Sequence, residues 1–227
     1  MEKFLTATST FIEKATDTRY FLLFVNFLIV TDTVLCKTIN TPLLQFTYSD
    51  VTNKLQLGAT LIYMSFFLFY ISIFTPLVAS IVGLLLINLP SKVLSVFHNV
   101  NEGKYKEDGY ISIYELKKEA IIENNSVKFN VCLKEENKNN DELRLYQLSF
   151  SFLLTLASSF IITFNDRGSI LSIAFDLFKN PNGIIQPVIS FIMIILIAFC
   201  AYLGIGGYCL NRYTNMYVYI SNKNIKA

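Results

Sequence analysis

Four long apolar runs constrain the fold more than any other feature of the sequence. They cover residues 20–36, 55–89, 145–164 and 184–210. A helix needs about 20 residues to cross the hydrocarbon core of a bilayer, so each run suffices, alone or nearly so, for one span. Hydrophobic residues fill 53% of the 227 positions and charged residues only 16%, which is more apolar surface than a water-soluble core of this size needs. We therefore predict an all-α membrane protein built as a bundle of four transmembrane helices.

The distribution of Lys and Arg predicts the orientation of this bundle. Of the 19 Lys and Arg residues, four would lie outside, which leaves 15 before the first run, between the second and third runs, and after the last. Cytoplasmic loops carry such an excess of basic residues. The predicted order is a cytoplasmic N-terminal segment 1–19, helices 1–2 in 20–90 with an external loop 37–54, a cytoplasmic module 91–144, helices 3–4 in 145–210 with an external interfacial segment 165–183, and a cytoplasmic tail 211–227.

Two polar residues interrupt the first run, Asn26 and Asp32. A carboxylate well inside a span costs several kcal/mol unless it is paired or hydrated, so Asp32 is a candidate for an ion path or a partner contact. The alternative is that the span ends early and leaves Asp32 at the outer headgroups beside Lys37. Asn26 is the second intramembrane candidate.

Small and hydroxyl residues recur at helical spacing in the later runs. Small side chains let helices approach closely, whereas hydroxyls either pack helices together or line a water-filled path. Proline and glycine mark candidate hinges, because Pro76 interrupts the long second run and three glycines lie near the end of the fourth. The packing or pore-lining candidates are Thr75, Ala79, Gly83, Ser151, Thr155, Ser159 and Thr163, and the hinge candidates are Pro76, Gly204, Gly206 and Gly207.

The polar segments also carry local signals. Apolar residues at helical spacing predict a short interfacial helix within 165–183, and a continuation of the second helix over 93–100. Ser112 and Glu115 match a capping box that starts a helix ending at Asn124 and Asn125. Strict alternation predicts a strand at 126–133, which we expect to pair with a second strand at 213–220 in the tail. The alternative partner is a strand of another chain.

No catalytic, metal or cofactor site is expected. His98 is the only histidine, and Lys104 and Lys106 occupy positions where a calcium loop would need carboxylates. The glycines of the fourth run lack the lysine of a phosphate loop. A net charge of +2 is too small to indicate nucleic acid as a partner. The expected partners are the lipid bilayer, further copies of the chain and a cytoplasmic protein.

Several functions fit these features. The first is a non-enzymatic, homo-oligomeric membrane effector, channel-like subunit or scaffold that engages a cytoplasmic partner or signal through 91–144, for instance in bacterial defence against phage. The second is an inner-membrane immunity protein that blocks a pore-forming toxin. A small transporter or an assembly subunit of a membrane complex is the third. The bias towards Ile, Asn, Lys, Phe and Tyr, with no Trp, is typical of AT-rich genes and indicates a bacterium or a mobile element. The expected location is therefore the bacterial inner membrane.

Overall fold

A computed structural model describes residues 17–50, 56–88, 110–163, 166, 168–179, 185–210 and 217–219, with the backbone alone at 110, 177–179, 185 and 217–219. The predicted helix at 93–100, His98 and the residues of the rejected calcium loop before Tyr110 lie outside these residues. The helices are α1 (Thr18–Thr38), α2 (Leu57–Ile87), α3 (Ile113–Ile122), α4 (Ser126–Thr163), α5 (Ile170–Lys179) and α6 (Ile185–Ala201), and a 3-10 helix covers Leu43–Gln45. The strands are β1 (Tyr110–Ser112) and β2 (Tyr217–Tyr219).

Four of these helices are long and apolar enough to cross a membrane: α1, α2, α4, and α6 with the π-helix Tyr202–Leu210 that continues it. This supports the prediction of an all-α membrane protein with four spans. The second of them is not uniform, because a π-helical turn at Tyr70–Phe74 precedes Pro76. The short helix predicted within 165–183 is present as α5, and its place in the membrane interface stays a prediction.

The predicted strand at 126–133 is wrong, because these residues form the first two turns of α4. The side chain of Asn125 starts the helix by accepting hydrogen bonds from the backbone N–H groups of Val127 and Lys128, both at 3.1 Å. Alternation placed Cys132 on the polar face of a strand, but the helix buries it completely. Packing against α3 therefore overrides the local alternation of apolar residues.

The helix α3 and the first part of α4 form a helical hairpin around the turn at 123–125. Ser112 caps α3 by accepting the N–H of Glu115 at 3.2 Å, which confirms the Ser112 half of the predicted capping box. Leu116 and Ala120 of α3 are almost fully buried, and α3 packs against α4. An ion pair of 2.7 Å between Lys117 and Glu136 spans the hairpin at its edge. The sequence predicts a module at 91–144. From here on, the module means this hairpin together with β1 and β2.

The tail does contain a strand, but its partner differs from the expected one. β2 pairs antiparallel with β1, with Val218 opposite Ile111. Because β1 leads directly into α3, this two-stranded sheet links the segment after the last span to the helical hairpin. The alternative, an extended tail with 126–133 paired to a strand of another chain, is also wrong, because 126–133 is helical and the tail contains β2.

The helix α4 is the centre of the bundle. It has 38 residues and is about 57 Å long, and it contacts α1, α2, α3, α5 and α6. Near its middle, Asp141 forms an ion pair with Arg19, so the start of α1 lies beside the end of the module. At the opposite end, Lys37 pairs with Asp166 at 2.9 Å. We refer to these ends of the bundle as the module end and the cap end.

Candidate functional site

Asn26 lies at the middle of α1 and is fully buried. Its amide donates to the carbonyl of Leu22 in its own helix at 3.0 Å and to the carbonyl of Leu148 in α4 at 3.3 Å. Around it, Leu22 and Ile29 pack with Phe152 and Cys200, where α1, α4 and α6 meet. The amide therefore joins α1 to α4 inside an apolar core, where few alternative partners exist.

The hydroxyl stripe of α4 faces the interior of the same chain. Its four members, Ser151, Thr155, Ser159 and Thr163, are all buried. Ser159 accepts a hydrogen bond from Thr33 of α1 at 2.7 Å, and Thr155 shares one with Tyr70 of α2 at 3.0 Å. Thr163 donates to a carbonyl of its own helix. Two of these hydroxyls thus join helices of the same chain. Pore lining by this stripe stays a prediction.

Pro76 leaves one backbone carbonyl of α2 without a donor, and a side chain of α4 supplies that donor. In the π-helical turn, the N–H of Thr75 reaches the carbonyl of Tyr70, five residues earlier. The next donor in this pattern would be residue 76, but proline has no N–H, so the carbonyl of Ile71 loses its backbone partner. The side-chain amide of Gln147 donates to that carbonyl at 2.8 Å. We call the contacts of Asn26, Thr33, Gln147, Thr155 and Ser159 with their partners the polar seam.

The small-residue stripe of α2 and the glycines of the last helix form a second kind of contact. Thr75, Ala79 and Gly83 are all buried. A Cβ atom on Gly83 would lie 2.7 Å from the carbonyl oxygen of Cys209, which is closer than real Cβ contacts permit. Ala79 packs beside it with Phe150 of α4, and this close approach requires glycine at 83.

The candidate hinge glycines all lie in the π-helix Tyr202–Leu210, and Gly204 and Gly206 are buried. A Cβ on Gly204 would lie 2.8 Å from both the Cα and the backbone nitrogen of Phe150, and one on Gly207 would lie 2.9 Å from the ring of Tyr146. These two glycines therefore allow the last helix to touch α4. We call the contacts of Gly83, Gly204 and Gly207 the glycine seam, and hinge motion stays a prediction for these positions and for Pro76.

Asp32 lies near the cap end of α1, which continues six residues beyond it to Thr38. Both expectations for Asp32, a site inside the span and a place at the outer headgroups, stay predictions. Its carboxylate is 3% exposed and accepts two backbone hydrogen bonds at 2.8 Å, one from the N–H of Leu43 and one from the N–H of Ile170. Those two residues begin the 3-10 helix and α5, whose first N–H groups have no partner inside their own helices. One carboxylate thus fastens both cap-end helices to α1.

The charged groups of the described residues lie at the two ends of the bundle. At the module end, Arg19 donates to both carboxylate oxygens of Asp17, and these hydrogen bonds lower the pKa of Asp17. The four cysteines are buried and form no disulfide bond. Within the described ranges, no group of three or more His, Cys, Asp and Glu side chains is placed to hold a metal ion. The arrangement therefore offers contacts between helices and a connection between the two ends.

Comparison with known proteins adds no relative to this description. No protein-family model, curated protein or solved structure matches the chain. A functional proposal must therefore rest on the geometry of the chain itself.

Sequence reasoning missed three elements of this site: Gln147, Tyr70 and the partners of Asp32. A signal existed for Gln147, since a proline inside a span leaves a carbonyl without a donor and a glutamine stands near the start of the third run. Nothing local identifies the carbonyl that this glutamine reaches. Tyr70 and the backbone donors to Asp32 become visible only when the helices are packed.

Proposed function

We propose that this protein is a non-enzymatic scaffold or effector subunit of the bacterial inner membrane, with the module end in the cytoplasm. In this proposal the chain forms a homo-oligomer, and a channel-like assembly is one form of it. Residues 91–144 engage a cytoplasmic protein or signal, and defence against phage is one process that such an effector would serve. The observation that carries the proposal is the unbroken course of α4 from the module into the apolar bundle.

A continuous helix is a stiff connection between two environments. The first part of α4 packs against α3, and its second part contacts α1, α2 and α6. A partner that displaces α3 would thus move the helix that carries the polar and glycine seams. The pairing of β2 with β1 gives a second connection, because β2 follows the last apolar helix. Coupling by a packed element with two arrangements is a recognised basis for switching.

Self-association is supported by the outer faces of α2 and α6. Large apolar side chains on both helices are exposed in the single chain, among them Phe66, Leu84, Phe191 and Ile192. In a membrane such faces meet lipid or the apolar helices of another copy. The proposal assigns part of this surface to contacts between copies.

Two measurements on the full-length protein test the effector. Native mass spectrometry of protein released from nanodiscs should show one closed homo-oligomer, and liposomes carrying it should become permeable to ions when an activator of the module is added. A strictly monomeric particle that gives no flux with any candidate activator would sink the proposal. The substitution Asn140→Pro breaks α4 between the module and the apolar part, so it should abolish flux while Asn140→Ala retains it.

An immunity protein is the second candidate, and one observation favours it. The hydroxyl pairs Thr33 with Ser159 and Tyr70 with Thr155 are complete within one chain, so these polar groups need no second copy. Such a protein would act as a monomer that binds toxin helices in the bilayer. Cells that express it should survive a pore-forming toxin encoded beside it, and equal killing with and without the protein would exclude this role.

A further inference from the structure

One face of the module combines exposed apolar and basic side chains. Val127, Val131, Lys134 and Lys138 occur at positions i, i+4, i+7 and i+11 of α4, which places them in one stripe along the helix. Val127 is 71% exposed and Val131 is 42% exposed, and both lysines are exposed. We call this stripe the outer face of α4. It lies in the polar part of the helix, where apolar exposure is not explained by lipid.

The lysines of this face differ from other lysines of the module. Lys117 pairs with Glu136 and Lys128 pairs with Glu123 at 2.6 Å, so both are neutralised by their own chain. Within the described part of the chain, neither Lys134 nor Lys138 forms an ion pair. Two positive charges thus remain available next to two exposed valines.

We propose that the outer face of α4 is the docking site for an acidic amphipathic segment of a partner protein. Such a segment places apolar side chains on Val127 and Val131 and carboxylates on Lys134 and Lys138. Helix-in-groove or helix-on-helix recognition uses this spacing of anchors. The inference rests on the proposed function, because it names the kind of partner that the module takes.

Charge and distance argue against a second copy or the bilayer as the occupant of the outer face of α4. Two copies in one membrane run parallel, so a symmetric contact would set Lys134 against Lys134 and Lys138 against Lys138, and like charges oppose such pairing. If the bilayer begins near residue 145, a rise of 1.5 Å per residue puts Val131 about 21 Å and Val127 about 27 Å below it. Lipid headgroups extend only about 6 Å from the hydrocarbon, so the bilayer leaves the valines uncovered.

The test uses a fluorescent reporter beside the face in the full-length protein. The four native cysteines are buried, so Asn130→Cys introduces a single exposed thiol that takes an environment-sensitive dye in zwitterionic nanodiscs. Two synthetic helical peptides are titrated, one with leucines and glutamates at the matching spacing and one in which lysines replace the glutamates. The acidic peptide should bind at least about tenfold more tightly than the basic one, and more weakly as salt rises.

Charge reversal of the face gives the decisive comparison. The double variant K134E/K138E should invert the preference between the peptides, whereas K118E on the exposed surface of α3 should leave it unchanged. Thermal unfolding of each variant establishes that the fold is retained. Equal binding of both peptides, or a preference that survives K134E/K138E, overturns the docking site.

The alternative occupants also have distinct outcomes. A dye signal that depends on protein concentration without peptide would assign the face to a second copy, and a signal that appears with anionic lipid alone would assign it to the bilayer. Either result overturns the inference. The titration reports only this face, whereas the mass and flux measurements report the effector, so the failure of one is distinguishable from the failure of the other.

Discussion

The polar seam and the glycine seam join helices to α4 by different physical means. In the polar seam, side chains such as Asn26 and Gln147 reach across and bond to backbone carbonyls or hydroxyls. In the glycine seam, side chains are absent and backbone approaches backbone or ring. A hydrogen bond between membrane helices stabilises the fold by about 0.6 kcal/mol on average. An atom added to an interface that is already closely packed destabilises it by about 1 to 3 kcal/mol. The glycine seam should therefore tolerate substitution less than the polar seam.

The largest effect is expected for Gly204→Ala. The new Cβ would meet the backbone of Phe150 at 2.8 Å, and backbone cannot rotate away as a side chain does. We expect a loss of about 3 kcal/mol, measured as a lower unfolding temperature of the purified protein in detergent. Gly58→Ala is the matched control, because nothing lies within 4 Å of its Cβ position. Equal unfolding temperatures of the two variants would refute close packing at Gly204.

Asp32→Asn tests the cap end, which belongs to neither seam. An asparagine offers one acceptor oxygen where the carboxylate offers two, so one N–H of Leu43 or Ile170 loses its partner, at a cost of about 2 kcal/mol. Hydrogen exchange at these two amides should accelerate more than at the module end. Asp176→Asn on the exposed side of α5 serves as the control. Unchanged exchange at both amides would contradict the double cap.

Gln147→Leu should cost about 1 kcal/mol, because it leaves the carbonyl of Ile71 without a donor. Because Gln147 replaces the N–H that Pro76 lacks, substitutions at these two positions should be energetically coupled. In a Pro76→Ala background a backbone N–H is restored near that carbonyl, and the loss from Gln147→Leu should shrink. A double-mutant cycle on unfolding free energies measures this difference. An identical loss in both backgrounds would show that the glutamine does not compensate for the proline.

The smallest effect is expected for Thr33→Val and Ser159→Ala. Each removes one side of a hydrogen bond of 2.7 Å, and the coupling between the two should be about 0.6 kcal/mol. Tyr70→Phe with Thr155→Ala gives a second cycle of the same kind on α2. If these couplings exceeded the loss from Gly204→Ala, the contrast between the two seams would be reversed.

The features predictable from the sequence were those that depend on repeated local chemistry. The four apolar helices follow from long hydrophobic runs, α5 from its apolar spacing, and the start of α3 from the pair Ser112 and Glu115. The stripe from Ser151 to Thr163 was visible as a pattern, although its partners were not. The orientation of the bundle and its membrane stay predictions.

The features that were missed depend on tertiary contacts. Residues 126–133 alternate like a strand, but continuity with the third apolar run and burial of Cys132 against α3 favour a helix. The strand in the tail was expected, yet its partner β1 is only three residues long and carries little periodicity. Asp32 binds backbone groups, which have no sequence signature. Its role was therefore beyond what residue types and spacing reveal.

The double cap at Asp32 has a consequence for biogenesis. Its second donor, the N–H of Ile170, follows it by 138 positions in the chain. At a synthesis rate of about 5 to 20 residues per second, roughly 7 to 28 s pass between the emergence of the acid and that of this donor. During that interval the carboxylate must remain hydrated or occupied by a temporary partner. Completion of the cap is thus a late event in insertion, and an α1–α2 hairpin made without the second half of the chain would lack the backbone donor for one oxygen of this carboxylate.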